Sequence, residues 1–117
     1  MARPQVTDPP GRPRVVFMGT PEYAIPTLER LLADTDVAAV YTQPDRPAGR
    51  GRRSRASPVG ERAREIGLPL LQPRSLRREP EAVRRLQELR PDVVVVAAYG
   101  LILPPRALQA PRHGCLN

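Results

Sequence analysis

The stretch Asp92-Val93-Val94-Val95-Val96-Ala97-Ala98-Tyr99 decides the fold of this 117-residue chain. Four consecutive β-branched valines favour a strand, and a run that is apolar throughout has no polar face to turn toward water. Such runs are typical of parallel strands that lie between two layers of helices and are buried on both faces. The stretch therefore predicts the central strand of a parallel sheet over residues 92–99.

The segments that precede and follow this strand alternate between strand and helix patterns. Short apolar runs bounded by Gly or Pro predict strands, and apolar residues three and four apart predict helices. Strands that alternate with helices predict an α/β fold, a Rossmann-like, open, mostly parallel sheet with flanking helices. The predicted strands are residues 14–18, 37–41, 68–73, 92–99 and 113–117; the predicted helices run from Pro21 or Ala24 to Ala33, from Ser57-Pro58 to Ile66, onward from Glu79-Pro80, and as one turn over residues 104–110.

The first thirteen residues differ in composition from the rest of the chain. They contain four prolines and no apolar run, which predicts a disordered tail over residues 1–13 and a folded segment over residues 14–117. The single cysteine, Cys115, cannot form an internal disulfide, which is compatible with a cytoplasmic protein. No apolar run approaches the length of a membrane span, so a membrane is not expected as a partner.

The net charge of +7 comes entirely from arginine, because the chain contains no lysine. A strongly basic chain favours polyanions as partners, and the place where the arginines cluster is more informative than their number. Five of them lie between Pro44 and Pro58 beside one acid, Asp45, in a segment stiffened by Pro44, Pro47 and Gly49. This segment is either a solvated basic loop or a contact surface for phosphates.

Two turns at the carboxyl ends of predicted strands are candidates for ligand binding, because open α/β sheets bind ligands there. Gly19-Thr20-Pro21 has one glycine where a dinucleotide fingerprint has three, so it is either a tight turn or a helix start open to an anion. The apolar loop Gly100-Leu101-Ile102-Leu103 either covers the core or holds a flat heterocycle through its backbone. No spacing of residues suits a metal, and none is expected.

Several motifs together resemble the methionyl-tRNA formyltransferase family, in the family's order and spacing. They are residues 15–21, Thr42-Gln43-Pro44-Asp45-Arg46-Pro47-Ala48-Gly49-Arg50-Gly51, Ser57-Pro58-Val59, residues 98–104 and Gly114-Cys115-Leu116-Asn117. The resemblance covers the chain from Arg14 onward and implies that residues 14–117 are the N-terminal portion of a folate-dependent formyltransferase domain. It also implies a full-length protein that acts as a monomer in the cytoplasm during translation initiation.

The resemblance implies a reaction in which the amino group of methionyl initiator tRNA attacks the formyl carbon of 10-formyltetrahydrofolate. Asn117 matches the family asparagine that donates to the formyl oxygen, and its neutral amide is suited to an oxyanion. The cofactor-binding residues implied by the resemblance are Tyr99, Gly100, Leu101, Ile102 and Leu103. The tRNA-binding residues implied by it are Arg46, Arg50, Arg52 and Arg53.

The family's other two groups for this chemistry, a His two positions after the Asn and a more distant Asp, have no counterpart in residues 1–117. The resemblance therefore implies that this chain is inactive alone. Two alternatives stay open: a different folate-dependent formyltransferase that acts on a sugar nucleotide or a small amine, and a basic RNA-binding module without enzymatic activity. The first does not account for the arginine-rich segment, and the second does not account for the apolar loop.

Overall fold

A computed structural model describes residues 12–47 and 54–117 of the chain. In this part the strands are β1 (Arg14–Gly19), β2 (Asp36–Tyr41), β3 (Arg46–Pro47), β4 (Ser54–Arg55), β5 (Leu70–Leu71), β6 (Val93–Ala97) and β7 (Cys115–Leu116). The helices are α1 (Ile25–Asp34), preceded by a 3₁₀ turn at Glu22–Ala24, then α2 (Pro58–Ile66), α3 (Pro80–Leu89) and α4 (Pro105–Leu108). The predicted tail falls mostly on residues outside this description.

Five strands form one parallel sheet in the order β5-β2-β1-β6-β7. The chain builds outward from β1 to β2 and β5, then crosses back to place β6 on the other side of β1. The predicted α/β fold, a Rossmann-like parallel sheet with flanking helices, is confirmed. The reversal of strand order between β1 and β6 is the topological switch point, which in such sheets opens a crevice beyond the carboxyl ends of the strands.

The two faces of the sheet carry separate hydrophobic cores, because successive residues of a strand point to opposite faces. Phe17 of β1 packs on the face covered by α1 and α2, with Leu28 and Val59. Val16 and Met18 pack on the other face under α3 and α4; this second core includes Tyr41, Leu76, Val83, Leu86, Val94, Tyr99 and Ala107. Burial of one such side chain contributes about 1.5–3 kcal/mol, so both helix layers are tied to β1.

The strand predicted over residues 92–99 is shorter in the structure, where β6 ends at Ala97. It ends because the next residue, Ala98, has a φ of 55° and so leaves the extended conformation. Burial on both faces is also less complete than predicted: Val94 is buried, whereas Val93, Val95 and Val96 are half-buried. Each face of β6 is therefore packed, but only in part.

The local signals around α2 are confirmed in detail. The Ser57 side chain accepts a hydrogen bond from the backbone N–H of Gly60 at 2.8 Å, and Pro58 occupies the first turn. These are the expected features of a helix start, because the first N–H groups have no partner within the helix. At the other end, Gly67 takes the left-handed conformation with a φ of 78° and ends the helix.

The arginine-rich segment is not simply a loop. Arg46–Pro47 pairs in antiparallel fashion with Ser54–Arg55, so that a short two-stranded hairpin extends from the main sheet. Its tip, residues 48–53, lies outside the described residues. We call residues 46–55 the arginine hairpin.

Candidate active site at the carboxyl ends of the strands

The carboxyl ends of the neighbouring strands β1 and β6 approach each other closely at Gly19. A Cβ atom on Gly19 would lie 2.8 Å from the Ala97 carbonyl oxygen and 2.8 Å from the Phe17 ring, which is closer than carbon atoms tolerate. The glycine of the Gly19-Thr20-Pro21 turn is therefore required by the contact between neighbouring strands. This observation favours the tight-turn interpretation of the motif.

The backbone carbonyl of Tyr99 joins three loops. The Thr20 hydroxyl donates to this oxygen at 2.8 Å, and the Gln43 side-chain amide donates to it at 2.9 Å. Thr20 follows β1, Gln43 follows β2 and Tyr99 follows β6, so one oxygen atom holds the ends of three adjacent strands together. Because a carbonyl oxygen has two lone pairs, its capacity to accept is used in full.

The loop after β6 turns sharply through left-handed residues. Ala98 has a φ of 55° and Gly100 a φ of 91°. The conformation of Ala98 costs about 1–2 kcal/mol for a residue with a Cβ, and it is held by the two hydrogen bonds to Tyr99. Gly100 has a second constraint, because a Cβ there would overlap the amide nitrogen of Gln43. The loop conformation thus depends on a glycine at position 100.

The residues predicted to bind the cofactor divide into two groups. Gly100, Leu101 and Ile102 line a cavity of about 710 Å³, and the Ile102 side chain is 71% exposed. The Tyr99 side chain is instead buried in the core, and Leu103 packs partly against the same core. Leu101 also packs partly against this core. Residues 100–102 therefore line the cavity, while residues 99, 101 and 103 anchor the loop.

A second part of the wall of this cavity is basic and was not predicted from the sequence. Arg74, Arg77 and Arg78 line it, on the turn that leads into α3. Glu79 also lies here, but its carboxylate accepts hydrogen bonds from the backbone N–H groups of Arg74 and Ser75 at 2.7 and 2.9 Å. Since the one acid is used to shape the turn, the three guanidinium groups give the wall a positive charge.

The buried tyrosines beside this wall have raised pKa values. Loss of hydration on burial raises the pKa of the Tyr99 phenol, and the neighbouring Tyr41 and Glu79 raise it further. Burial likewise raises the pKa of Tyr41, partly offset by Arg85. The Tyr41 hydroxyl donates to the Ala82 carbonyl oxygen at 2.7 Å, whereas the Tyr99 hydroxyl has no hydrogen-bond partner among the described residues. Both side chains remain neutral at pH 7 and serve the core.

The arginine hairpin begins at the same edge of the sheet. Of the residues predicted to bind tRNA, Arg46 is exposed and donates to the Gln43 side-chain oxygen at 2.5 Å. Arg50, Arg52 and Arg53 lie outside the described residues. Arg55, which belongs to the same cluster of arginines in the sequence, pairs through its backbone with Arg46. The hairpin base is thus next to the loop that carries Gly100.

A polar cluster fixes the base of the hairpin to the body of the protein. The Gln72 amide donates to the Asp45 carboxylate at 2.9 Å and to the Gln43 backbone carbonyl at 3.3 Å. Arg64 of α2 donates to the Gln72 side-chain oxygen at 3.0 Å and lies 3.7 Å from Asp45. The carboxylate of Asp45, which directly precedes the hairpin, is therefore engaged by Gln72 and Arg64.

Asn117 directly follows β7 and is exposed. It lies on the side of the sheet where the strands end, as Gly19 and the Gly100 loop do, although β7 ends beside Val95 and so stops short of the end of β6. Within residues 12–47 and 54–117 no group of three His, Cys, Asp or Glu side chains is placed to hold a metal ion. None of the helices described there is long and apolar enough to cross a membrane.

Residues 14–117 match the family described as Formyl transferase. The chain belongs to the formyl transferase family. It is 58% identical over 105 residues to the methionyl-tRNA formyltransferase of Methylococcus capsulatus, a match that covers 89% of this chain and 34% of that relative. For the protein of the same name from Marinobacter nauticus the identity is 56%, over 89% of this chain and 33% of the relative. For the protein of the same name from Clostridium novyi the identity is 47%, over 89% of this chain and 34% of the relative.

This formyl transferase chain spans about a third of the length of the curated relatives it matches. Among solved structures it resembles phosphoribosylglycinamide formyltransferase from Bacillus halodurans, with a TM-score of 0.58 and 24% sequence identity over 87% of this chain and 53% of the other. At that level of identity the likeness concerns the fold. The resemblance to formyltransferases inferred from the motifs is confirmed at the level of the family.

Two features of this formyl transferase chain were not predicted from its sequence, namely the role of Gln43 and the basic wall. A signal for the wall was present, since three arginines occur within the five residues 74–78. It pointed to no function because nothing local indicates that this turn faces the loop after β6. Gln43 gave no signal of its own, since its role depends on its two partners.

Proposed function

We propose that this chain is the N-terminal part of an enzyme that transfers the formyl group of 10-formyltetrahydrofolate to methionyl initiator tRNA. The observation that carries the proposal is the position of the arginine hairpin beside the crevice, where Gln43 contacts both Arg46 and Tyr99. A basic hairpin next to an apolar loop suits a reaction between an RNA end and a heterocyclic donor. The names of relatives at 47–58% identity support methionyl-tRNA as the acceptor of a formyl group.

The chemistry of the cavity fits a folate. A pterin ring is flat and has polar edges, which suits the apolar side chains and free backbone groups of residues 100–102. The tail of a folate carries carboxylates, for which guanidinium groups are strong partners. The cavity presents both, since Arg74, Arg77 and Arg78 line it together with Gly100 and Leu101. If backbone groups bind the polar edges of the ring, the side chains of Leu101 and Ile102 have only to contact its apolar faces.

Residues of this chain contribute to the reaction by position and by hydrogen bonding. When the amine of methionine attacks the formyl carbon, a negative charge develops on the formyl oxygen, and a fixed donor that faces it lowers the barrier. We assign this donation to the Asn117 amide, which stays neutral and keeps its two N–H donors across the working pH range. Tetrahydrofolate then leaves as the tetrahedral intermediate collapses.

Residues 1–117 alone are proposed to be inactive. The amine must lose a proton during the attack, and a group within hydrogen-bond reach has to accept it. The sole histidine, His113, is exposed and precedes β7, where its backbone N–H donates to the Asp92 carbonyl oxygen. The proton acceptor is therefore expected outside these residues, in the remainder of a longer gene product that works as a cytoplasmic monomer.

The proposal is tested with the full gene product that carries residues 1–117. We expect formyl transfer from 10-formyltetrahydrofolate to methionyl initiator tRNA and none to an amino sugar nucleotide. Arg50→Ala should weaken use of the tRNA more than use of the folate, and the salt slope should fall by about 0.7–0.9 for each phosphate that the variant no longer neutralises. The control is Arg30→Ala, since Arg30 is ion-paired to Asp34 on α1. Transfer to the sugar nucleotide, or RNA binding without transfer, would refute the proposal.

A further inference from the structure

The side chain of Gln43 connects the two regions that the proposed function assigns to the two substrates. Its amide nitrogen donates to the Tyr99 carbonyl oxygen at 2.9 Å, at the start of the loop that lines the cavity. Its amide oxygen accepts from the Arg46 guanidinium at 2.5 Å, at the first residue of the arginine hairpin. One half-buried amide thus spans the distance between the two regions.

The orientation of this amide is determined by its partners. A backbone carbonyl oxygen only accepts hydrogen bonds and a guanidinium only donates them, so the nitrogen must face Tyr99 and the oxygen must face Arg46. In a flipped amide the nitrogen would face the Arg46 guanidinium, so that two donors meet. The oxygen would face the Tyr99 carbonyl oxygen, so that two acceptors meet. Arg46 therefore selects the rotamer in which Gln43 supports the loop after β6.

The loop in turn depends on the position of Gln43. Its amide occupies the space in which a side chain on Gly100 would lie, and it holds the carbonyl of the residue before Gly100. A rotation of the amide removes one of the two hydrogen bonds that hold Ala98 and Gly100 in left-handed conformations. The position of the loop that lines the cavity is therefore linked to the state of one guanidinium group.

Arg46 is exposed and keeps most of its hydrogen-bonding capacity. A guanidinium has five N–H donors, and the contact with Gln43 uses one nitrogen, Nη2. Among the described residues the other donors of Arg46 have no partner, and a phosphate bound by them would fix the plane of the guanidinium and with it the amide. A phosphate bound at Arg46 thus strengthens the arrangement that supports the loop, and it does not compete with it.

We propose that Gln43 couples the two substrate sites, so that an RNA phosphate bound at Arg46 tightens folate binding at the Gly100 loop, and folate tightens RNA binding by the same factor. The reciprocity is required by thermodynamic linkage. The inference rests on the proposed function for the identity of the two ligands. Gln43 acts here as a positioning residue, through its effect on Tyr99 and Gly100.

The test measures binding of 5-formyltetrahydrofolate, which does not react, by the full gene product with and without saturating methionyl initiator tRNA at fixed salt. We expect the tRNA to lower the folate Kd by about fivefold or more in the wild type. In Gln43→Leu the factor should fall to about one, because the leucine contacts neither partner by a hydrogen bond. Gln109→Leu, which changes an exposed glutamine at the end of α4, should retain the full factor.

A second variant separates coupling from loss of structure. Gln43→Glu keeps an acceptor for Arg46 but cannot donate to the Tyr99 carbonyl oxygen, so it should also lose the coupling while it keeps the contact with the hairpin. The effects of Arg46→Ala and Gln43→Leu on the coupling should not add. The double variant should show the same coupling as either single variant. A merely structural role would raise the folate Kd equally with and without tRNA.

The outcomes distinguish this inference from the proposed function. Suppose that both ligands bind the wild type, and that the factor by which tRNA lowers the folate Kd is unchanged in both Gln43 variants. The coupling role is then wrong and the proposed function stands. If the wild type binds folate but no tRNA, or tRNA but no folate, the proposed function and the coupling built on it are both wrong. A tRNA factor below one in the wild type would also overturn the inference, since it predicts mutual tightening.

Discussion

The hydroxyl groups of Thr42 and Ser57 lie 2.6 Å apart in the buried base of the arginine hairpin. The two residues enclose the hairpin, since one directly follows β2 and the other precedes α2. Ser57 also caps α2 through the Gly60 N–H. The same pair of side chains therefore joins the two ends of the segment that contains the hairpin and caps the first turn of α2.

Ser57→Ala should destabilise the protein by about 2–4 kcal/mol. It removes the helix cap, worth about 1 kcal/mol, and leaves the buried Thr42 hydroxyl without a partner, which adds about 1–3 kcal/mol at most. The measurement is urea denaturation. Ser75→Ala is the matched control, because the Ser75 hydroxyl accepts one long hydrogen bond of 3.2 Å from Arg78 and its loss should cost under about 1 kcal/mol. Equal losses in both variants would contradict the role given to the hydroxyl pair.

Gly100→Ala should lower folate affinity by on the order of tenfold or more, since about 1.4 kcal/mol of distortion in the loop already amounts to a factor of ten. The methyl group overlaps the Gln43 amide and must displace it or the loop. Gly67→Ala is the control, because Gly67 also has a positive φ, of 78°, but a Cβ there meets no atom within 4 Å. Both variants should lose stability, and only Gly100→Ala should lose affinity in a folate titration.

Removal of the basic wall should weaken binding of the folate tail specifically. We expect Arg74→Ala, Arg77→Ala and Arg78→Ala together to reduce affinity for 5-formyltetrahydrofolate on the order of tenfold, and the loss should shrink as salt is raised. Binding of a pterin without carboxylates should be unaffected. The comparison variant Arg30→Ala carries the same kind of change on the far-side helix α1. A triple variant that binds both compounds equally less well would point to a collapsed cavity.

The stability of the protein should fall as the pH rises above about 10. The pKa values of Tyr41 and Tyr99 are raised in the folded state above the ordinary value of 10.0, so the folded protein keeps protons that the unfolded chain releases. Stability from this source is complete below pH 10 and decreases above it, with a slope of up to about 1.4 kcal/mol per pH unit for each tyrosine. Denaturation between pH 9 and 11.5 would measure it.

Two conservative variants separate the tyrosines at pH 7. Tyr41→Phe should cost about 1 kcal/mol because it removes the hydrogen bond to the Ala82 carbonyl oxygen. Tyr99→Phe should be neutral or stabilising, because its buried hydroxyl has no partner among the described residues. Each variant should also make the alkaline loss of stability less steep. A Tyr99→Phe variant that is less stable than Tyr41→Phe would show that the Tyr99 hydroxyl is satisfied.

Asn117→Ala should reduce the rate of formyl transfer by the full gene product by about 10²- to 10³-fold, as for the loss of one oxyanion donor. Folate and tRNA affinities should stay near the wild-type values, because the donor acts on a charge that develops only in the transition state. Single-turnover kinetics with both substrates saturating would measure the effect. A change in affinity with an unchanged rate would remove Asn117 from the chemical step.

Local chemistry explains which parts of the fold were predictable. Ser57, Pro58 and Gly67 define α2 through bonds and dihedral angles within a few residues, and both ends were predicted correctly. The end of β6 was not, because Ala98 takes its left-handed conformation from hydrogen bonds that Thr20 and Gln43 make to Tyr99 from distant parts of the chain. No local pattern reports such a contact.

The same distinction applies to the site. Gly100 was predicted to belong to a loop that binds the cofactor through its backbone, but its specific conflict with Gln43 depends on how β2 lies beside β1. The arginine-rich segment was predicted as a basic loop and not as a hairpin, because the pairing of Arg46 with Arg55 has no turn signature such as Asn-Gly. The basic wall lies on the segment that follows β5, where the chain crosses to the other side of β1. Its place in the site therefore depends on the strand order and not on any local pattern.

The strand order has a consequence for synthesis on the ribosome. β1, β2 and β5, with the core under α1 and α2, can assemble once Leu71 has emerged, but the other edge of β1 has no partner until β6 follows. At 5–20 residues per second, the intervening stretch of about 25 residues takes seconds to appear. During that interval Val16 and Met18 face water beside an open strand edge, which makes the nascent chain a substrate for chaperones.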